Sequence, residues 1–377
     1  MKYDTKILHG AADRDPHTGA LSIPIYPAST YHQKDVDAIQ EFEYSRSGNP
    51  TRRALEETLG VLEGGFGFAF ASGVAAITAA FTTVLGAGDH VVVTKDVYGG
   101  TYRLLTKYLY RLGITHTFAD TTDIKKTEDA ILDNTKAVFL ESPSNPLLKI
   151  IDFEAMADLA RRRGLVTLVD NTFLSPYFFR PIEFGIDISI HSATKFLGGH
   201  SDLIAGAVIT RTKELADEIG FVQKTTGSML SPENSWLLLR GIKTLRPRMT
   251  MQSDGAMKIA QWLSGQTWVK QVYYPGLPDH PGHDIIARQA SGYGAVVSFT
   301  ADSRERAYAI MKGVKHWTVA VSLGGVESIL SYPAKMSHAS IPEKEREQLG
   351  ITDNLIRLSV GLEDVDDLID DIKQTVK

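Results

Sequence analysis

The chain contains no cysteine. Disulfides, thiolate metal sites and a cysteine nucleophile are therefore excluded, and the absence fits a cytoplasmic protein. No uninterrupted apolar run is long enough to span a bilayer, so no membrane partner is expected. Residues Met1 to Gly10 hold no apolar stretch of signal-peptide length. Repeats and low-complexity segments are also missing. Neither charge dominates: 40 Lys and Arg face 45 Asp and Glu, a formal net charge of −5, which offers nothing to a nucleic-acid backbone. What remains is an ordinary globular composition. With 377 residues, 43% of them hydrophobic, the chain can bury a large core and build two domains.

The first fifty residues read as an irregular extended arm, rich in Pro, Gly, Ser, Thr and Tyr. Ile23-Pro-Ile-Tyr-Pro27 and Tyr44 are too apolar for a solvated tail, and such an arm can reach a neighbouring subunit. From Asn49-Pro50 the pattern changes. Thr51 can cap a helix with apolar positions Leu55, Leu59 and Leu62. Strands are then expected at Phe66–Ala71, His90–Thr94, Ile114–Ala119, Ala137–Glu141, Leu165–Asp170 and Ile186–His191. Helices are expected at Gly73–Leu85, Thr101–Leu112 and Phe153–Arg163. This alternation predicts an α/β protein with a mostly parallel sheet covered on both faces. Ligands of such sheets gather at the carboxyl ends of the strands. A long helix over Glu233–Leu263, bent at Pro247, is expected to lead into a smaller α/β part. The expected division is an arm over 1–48, a large domain over 49–241 and a small C-terminal domain over 242–377.

Two apolar runs end in residues with chemistry. One closes on Asp170; the other leads into Ser192-Ala193-Thr194-Lys195. A lysine beside small hydroxyl residues suits pyridoxal phosphate (PLP). Its amine condenses with the cofactor aldehyde, and a carboxylate elsewhere keeps the pyridine nitrogen protonated. The Ser192 and Thr194 hydroxyls can bond the cofactor phosphate. Asp and Lys at strand ends also serve as solvated surface charges.

Other segments have the same double reading. Ser72-Gly73-Val74 opens a helix after a strand, either an anion seat or a plain helix start. Tyr98, in a glycine turn, can stack on a flat cofactor or pack in the core. Tyr44 and Arg46 share one face of an extended segment, and Arg46 suits a phosphate or simply the surface. Arg357, alone in the apolar strand Ile356–Gly361, needs a partner: a substrate carboxylate or an internal acid. His280-Pro-Gly-His283 lacks further ligands and is read as a loop, so no metal is expected.

Together these segments resemble the PLP-dependent enzymes of cysteine and methionine transsulfuration, a family of cystathionine lyases, cystathionine synthases and methionine lyases. The resemblance runs almost end to end, and His191 to Asp202 is its most specific run. It implies the aspartate-aminotransferase-like fold, usually a homotetramer of two active-site dimers. It implies PLP on Lys195, Asp170 at the pyridine nitrogen and Tyr98 on the ring. Gly73, Val74, Ser192 and Thr194 would hold the phosphate, joined by Tyr44 and Arg46 from the adjacent subunit. Asn145 would lie between cofactor and substrate, and Arg357 with Ser322 would bind the substrate carboxylate. Val321 stands where γ-lyases and γ-synthases of the family usually carry Glu, and Val319 to His338 resembles the β-lyase branch. The expected activity is carbon–sulfur β-elimination on cystathionine. A γ-lyase, a γ-synthase or a non-catalytic regulator on the same fold is the alternative.

Overall fold

The computed structural model describes residues 1–11, 14–38 and 40–376. A seven-stranded sheet is built from β1 (Phe66–Phe70), β2 (His90–Thr94), β3 (Thr115–Ala119), β4 (Thr135–Glu141), β5 (Val166–Asp170), β6 (Ile188–His191) and β7 (Gly206–Thr210). Its order is β1-β7-β6-β5-β4-β2-β3. The pairs from β6 to β3 are all parallel. The exception is β7, which runs antiparallel to both neighbours and was not foreseen.

Every residue of β2 is buried, as in β5 through β7 with the single exception of Val166. The reason is a helix on each face, which makes near-continuous apolar strands the stable choice. Alternate side chains go to opposite cores. Val92, Val138, Leu140 and Val169 meet Leu55, Leu59 and Leu62 of α2 (Pro50–Glu63). Val91, Val93, Phe139 and Leu168 meet Ala76, Ala80 and Phe81 of α3 (Gly73–Val84). Each of the three α2 leucines is at most 1% exposed, a burial that contributes about 1.5–3 kcal/mol apiece.

A second sheet holds β8 (Val269–Tyr273), β9 (Val296–Ala301), β10 (Thr318–Val319), β11 (Ile329–Ser331) and β12 (Leu355–Ser359) in the order β10-β11-β12-β9-β8. It is antiparallel except for the β10–β11 pair. Val297, Phe299, Ile356 and Leu358 bury against Ile259 and Leu263 of the Leu245–Ser264 helix and against Leu368 and Ile372 near the C-terminus.

Four local expectations are corrected. The arm is not wholly irregular: Tyr3–His9 forms α1, with Ile7 buried and the Tyr3 hydroxyl donating to Pro176 O at 2.5 Å. Seven residues carry no readable helical period, and docking rather than propensity holds such a helix. The long helix is two helices, Pro232–Ile242 and Leu245–Ser264, and Pro247 makes no bend. It sits in the first turn of the second helix, where its missing N–H has no intrahelical acceptor to lose. Residues 99–112 form a short α-turn, a π-turn and a 3₁₀ turn in place of one helix. Finally, Asn49 rather than Thr51 caps α2. Its Oδ1 accepts from Thr51 N at 3.0 Å and Arg52 N at 3.3 Å, with Pro50 following as the first helical residue.

Asn49 also donates to Tyr26 O at 2.8 Å and to Ser45 Oγ at 3.2 Å, so one side chain ties the arm to α2. Asn49→Ala is expected to destabilise the protein by about 1–2 kcal/mol, read from urea unfolding. Asn49→Asp keeps the helix acceptors and should lie between. An unchanged midpoint in the alanine variant would remove the cap from this account.

Candidate active site

At the carboxyl ends of β4, β5 and β6 a cavity of about 540 Å³ opens beside the start of α3. Residues 321–323, 336–337, 339–340 and Arg357 close it from the other side. A larger, more open hollow of about 780 Å³ lies against α2 and holds none of the cofactor candidates.

Lys195 follows β6 in a tight turn closed by Lys195 N donating to Ser192 O at 3.1 Å. Its ammonium donates to Ser322 Oγ at 2.5 Å. Burial, and secondly the nearby Arg357 charge, push the amine down to about 8. A nucleophilic lysine needs this, because only the neutral amine attacks a carbonyl. Ser322 itself has φ +87°, a conformation rare outside glycine, and such strain is common where a backbone is held for function.

Asp170 ends β5 and is 8% exposed. Burial raises its carboxyl; bonds from Thr172 and the His191 charge oppose that rise. Both Thr172 bonds, from N at 3.0 Å and Oγ1 at 2.5 Å, go to Oδ1. Thr172 Oγ1 also accepts from Ser192 N at 2.8 Å, so one threonine ties the aspartate to the lysine turn.

Ser72 caps α3 by accepting from Ala75 N at 3.1 Å, and Gly73 and Val74, in the first turn, line the cavity. A Cβ on Gly73 would meet Ser192 Cβ at 2.8 Å, so only glycine lets the two segments close. Among the described residues Ser192 Oγ takes part in no hydrogen bond, while the Thr194 hydroxyl donates to Ala205 O at 3.1 Å. Tyr98 is 37% exposed on the wall. A Cβ on Gly100 would sit 2.3 Å from its ring, so the glycine turn makes room for the ring.

Arg357 is 2% exposed and has no carboxylate partner among the described residues. It donates to Asn145 Oδ1 at 2.9 Å, Ser322 O at 2.7 Å and Ser331 Oγ at 3.1 Å, and its Nε is unpaired. The internal ion pair left open by the sequence is therefore absent. Burial lowers its pKa to about 10. A buried guanidinium with only neutral partners is short of an anion.

The structure thus brings together Lys195, Asp170, Tyr98, Gly73, Val74, Ser192, Thr194, Asn145, Ser322, Val321 and Arg357. Val74 and Val321 both line the cavity, Val321 at 64% exposure. Tyr44 and Arg46 do not join them; both are exposed, and Arg46 donates to Lys224 O at 3.0 Å. His283 is structural, stacked on Tyr293 and bonded to Pro275 O.

Sequence reasoning missed three wall residues. Glu141 accepts N–H groups from Tyr98 at 2.9 Å and Asn145 at 3.0 Å. Burial and then Asp170 push its pKa well up. Its signal was an acid ending an all-apolar strand. Thr172, two residues after Asp170, and Arg103, on the cavity wall, gave no signal stronger than their types.

A family model described as Cys/Met metabolism PLP-dependent enzyme matches residues 4–377. The chain belongs to this family. A cystathionine gamma-lyase of Bacillus subtilis is 52% identical, each chain covered in full. A cystathionine beta-lyase of Lactococcus lactis is 50% identical over 99% of this chain and 98% of that one. The crystal structure of cystathionine gamma-lyase from Lactobacillus plantarum complexed with L-serine is 46% identical, with a TM-score of 0.98, over 100% of this chain and 98% of that one. The fold is the type I fold of PLP enzymes, and the protein is a PLP-dependent lyase of cysteine and methionine metabolism.

The residues present fit that cofactor. The free Ser192 hydroxyl and the α3 N-terminus suit an anion, Asp170 faces the cavity, and Lys195 is half-buried with no carboxylate partner among the described residues. When bound, PLP supplies an aldehyde for the lysine and a ring that accepts electrons. Lys195→Ala should abolish both visible absorbance and turnover. In the unaltered apoenzyme, the rate of covalent PLP uptake should rise with pH as the amine deprotonates. Its midpoint should lie near about 8. A midpoint at the ordinary lysine value of 10.5 would contradict the burial argument.

Proposed function

We propose that the chain is a cystathionine β-lyase, converting cystathionine and water to homocysteine, pyruvate and ammonia. The observation that carries this reading is the absence, among the described residues, of a usable acid near Val321. The cavity wall has two carboxylates, Glu141 and Asp170. The first is tied to two backbone N–H groups and the second to Thr172. Glu141 has both oxygens engaged, the open oxygen of Asp170 is the one a pyridine nitrogen would take, and Val321 can hold neither the substrate amine nor the distal ammonium of cystathionine. The β-route removes one proton, at Cα, and the γ-route removes a second at Cβ. Lys195, with its amine free, would take the Cα proton. The same lysine then returns a proton to the departing sulfur, a base having become an acid. Arg357 and Asn145 seat the α-carboxylate, Arg357 through its fork of N–H donors. With PLP bound, Asp170 would hold the proton on the pyridine nitrogen and Tyr98 would stack on the ring.

A γ-lyase is the second reading. It is favoured by the 52% identity with the Bacillus subtilis protein of that name and by the 46% identity of the Lactobacillus plantarum structure. The keto acid made from cystathionine decides between them. Mainly pyruvate is expected, and Val321→Glu should shift the ratio toward 2-oxobutyrate. Chiefly 2-oxobutyrate from the unaltered enzyme would replace the β-lyase reading with the γ-lyase one.

The enzyme is also proposed to be a homotetramer with sites shared between paired subunits. Support comes from Tyr44 and Arg46, which are exposed and lie outside their own cavity. An Arg46→Ala chain mixed with a Lys195→Ala chain should regain activity, because a hybrid dimer holds one intact site. Hybrids that form without activity would put the arm in its own subunit's site.

A further inference from the structure

Lys195 and its contact Ser322 lie 127 residues apart, on segments from opposite sides of the cavity. What fixes their separation is not in either segment. The turn from Ser192 to Gly199 closes on itself through Gly198 N donating to Ala193 O and Gly199 N to Lys195 O, at 2.9 and 2.7 Å. The carbonyls of Phe196 and Leu197 are taken instead by one buried side chain, Arg248. Its Nη1 donates to Phe196 O at 2.6 Å, and its Nη2 donates to Leu197 O at 3.3 Å and Gly241 O at 2.8 Å. Arg248 is 3% exposed and forms no ion pair among the described residues. Burial alone lowers its pKa to about 10. Its Nε donates to Thr244 Oγ1 at 3.0 Å, so a cation is kept in the interior for neutral oxygens only. At Gly199, φ is +73° and a Cβ would lie 2.2 Å from Arg248 Nη1, so glycine is needed there for conformation and for space.

One turn further along the same helix stands Gln252, fully buried. Its Nε2 donates to Gly325 O at 2.7 Å and Val360 O at 3.0 Å. The first acceptor ends the segment that carries Ser322; the second follows β12, which carries Arg357. Between them Gly324, at φ +78°, rests on the lysine turn: a Cβ there would be 2.7 Å from Phe196 N and 3.2 Å from Lys195 Cα. One rigid helix therefore grips the lysine turn at one residue and the carboxylate side at the next turn.

We propose that Arg248 and Gln252 are positioning residues that together hold Lys195 at a set distance from Ser322 and Arg357. Arg248 acts through the Phe196 and Leu197 carbonyls, and Gln252 acts through Gly325 and Val360. The inference rests on the lysine as cofactor anchor and is indifferent to β- or γ-elimination.

The test uses the cofactor-loaded enzyme and the variants Arg248→Met, Arg248→Lys and Gln252→Leu. Three quantities are read: the pH midpoint of the visible absorption band, KM against kcat on a cysteine thioether, and Tm. Arg248→Met should move the spectral midpoint by about half a pH unit or more, because the lysine turn is freed and its amine changes surroundings. Arg248→Lys, with donors for one or two of the carbonyls, should recover at least about half of that shift. Gln252→Leu should raise KM about tenfold and lower kcat by less than about threefold, because it loosens the carboxylate seat and leaves the lysine in place. Folded variants with a lower Tm but unchanged midpoint and KM would overturn the proposal and leave the two residues as ordinary packing. If Arg248→Met does not fold, Arg248→Lys and Gln252→Leu decide it by the same two readouts. The keto acid formed by the unaltered enzyme tests the β-lyase reading separately.

Discussion

The contact between the Lys195 ammonium and the Ser322 hydroxyl, 2.5 Å long, joins the large sheet's lysine turn to the second sheet's rim. Much of the site depends on it. Ser322 carries a strained φ, its carbonyl receives Arg357, and Arg357 reaches back to Asn145 on the far wall. The loop closes through Glu141, which holds the Asn145 and Tyr98 backbones. Each link is a hydrogen bond made away from bulk water, where an unmade bond is costly, so displacing any one of them strains its neighbours.

Charge is distributed unevenly around this loop. Half-buried Lys195 and buried Arg357 are cations without carboxylate partners among the described residues, and each has its pKa lowered by burial. Asp170 and Glu141 are buried acids whose pKa values burial raises. Buried charges left unpaired are destabilising. In a PLP-dependent family, such an imbalance suits ligands of the complementary kind. A family of PLP enzymes is where such a cavity belongs.

Much of this was readable before the fold. Asp170, Ser192, Thr194 and Lys195 lie at the ends of apolar runs, so their placement at strand ends followed from local pattern alone. Arg357 in an apolar strand announced itself by its cost. Other features gave no such sign. The α1 helix is too short to show a period, and Pro247 looks the same in a first turn as at a bend. Glu141 and Thr172 matter because of the backbone groups they face, which are 43 and 20 residues away in sequence. The antiparallel β7 reads like any other buried strand, since both directions bury the same apolar faces.

By itself, then, the sequence determined the chemical inventory and the β-α alternation of the large sheet's central strands, because the residues involved are chain neighbours and carry periods of their own. Only the tertiary structure decided which buried charge has no counter-ion. Arg357 could have met an acid; it meets Asn145, 212 residues away, and two neutral oxygens. Such pairings depend on long-range approach, and no local pattern records where a distant side chain ends. The same reason kept Tyr44 and Arg46 outside the cavity of their own chain. A single fold can bring an arm only as far as its own packing allows.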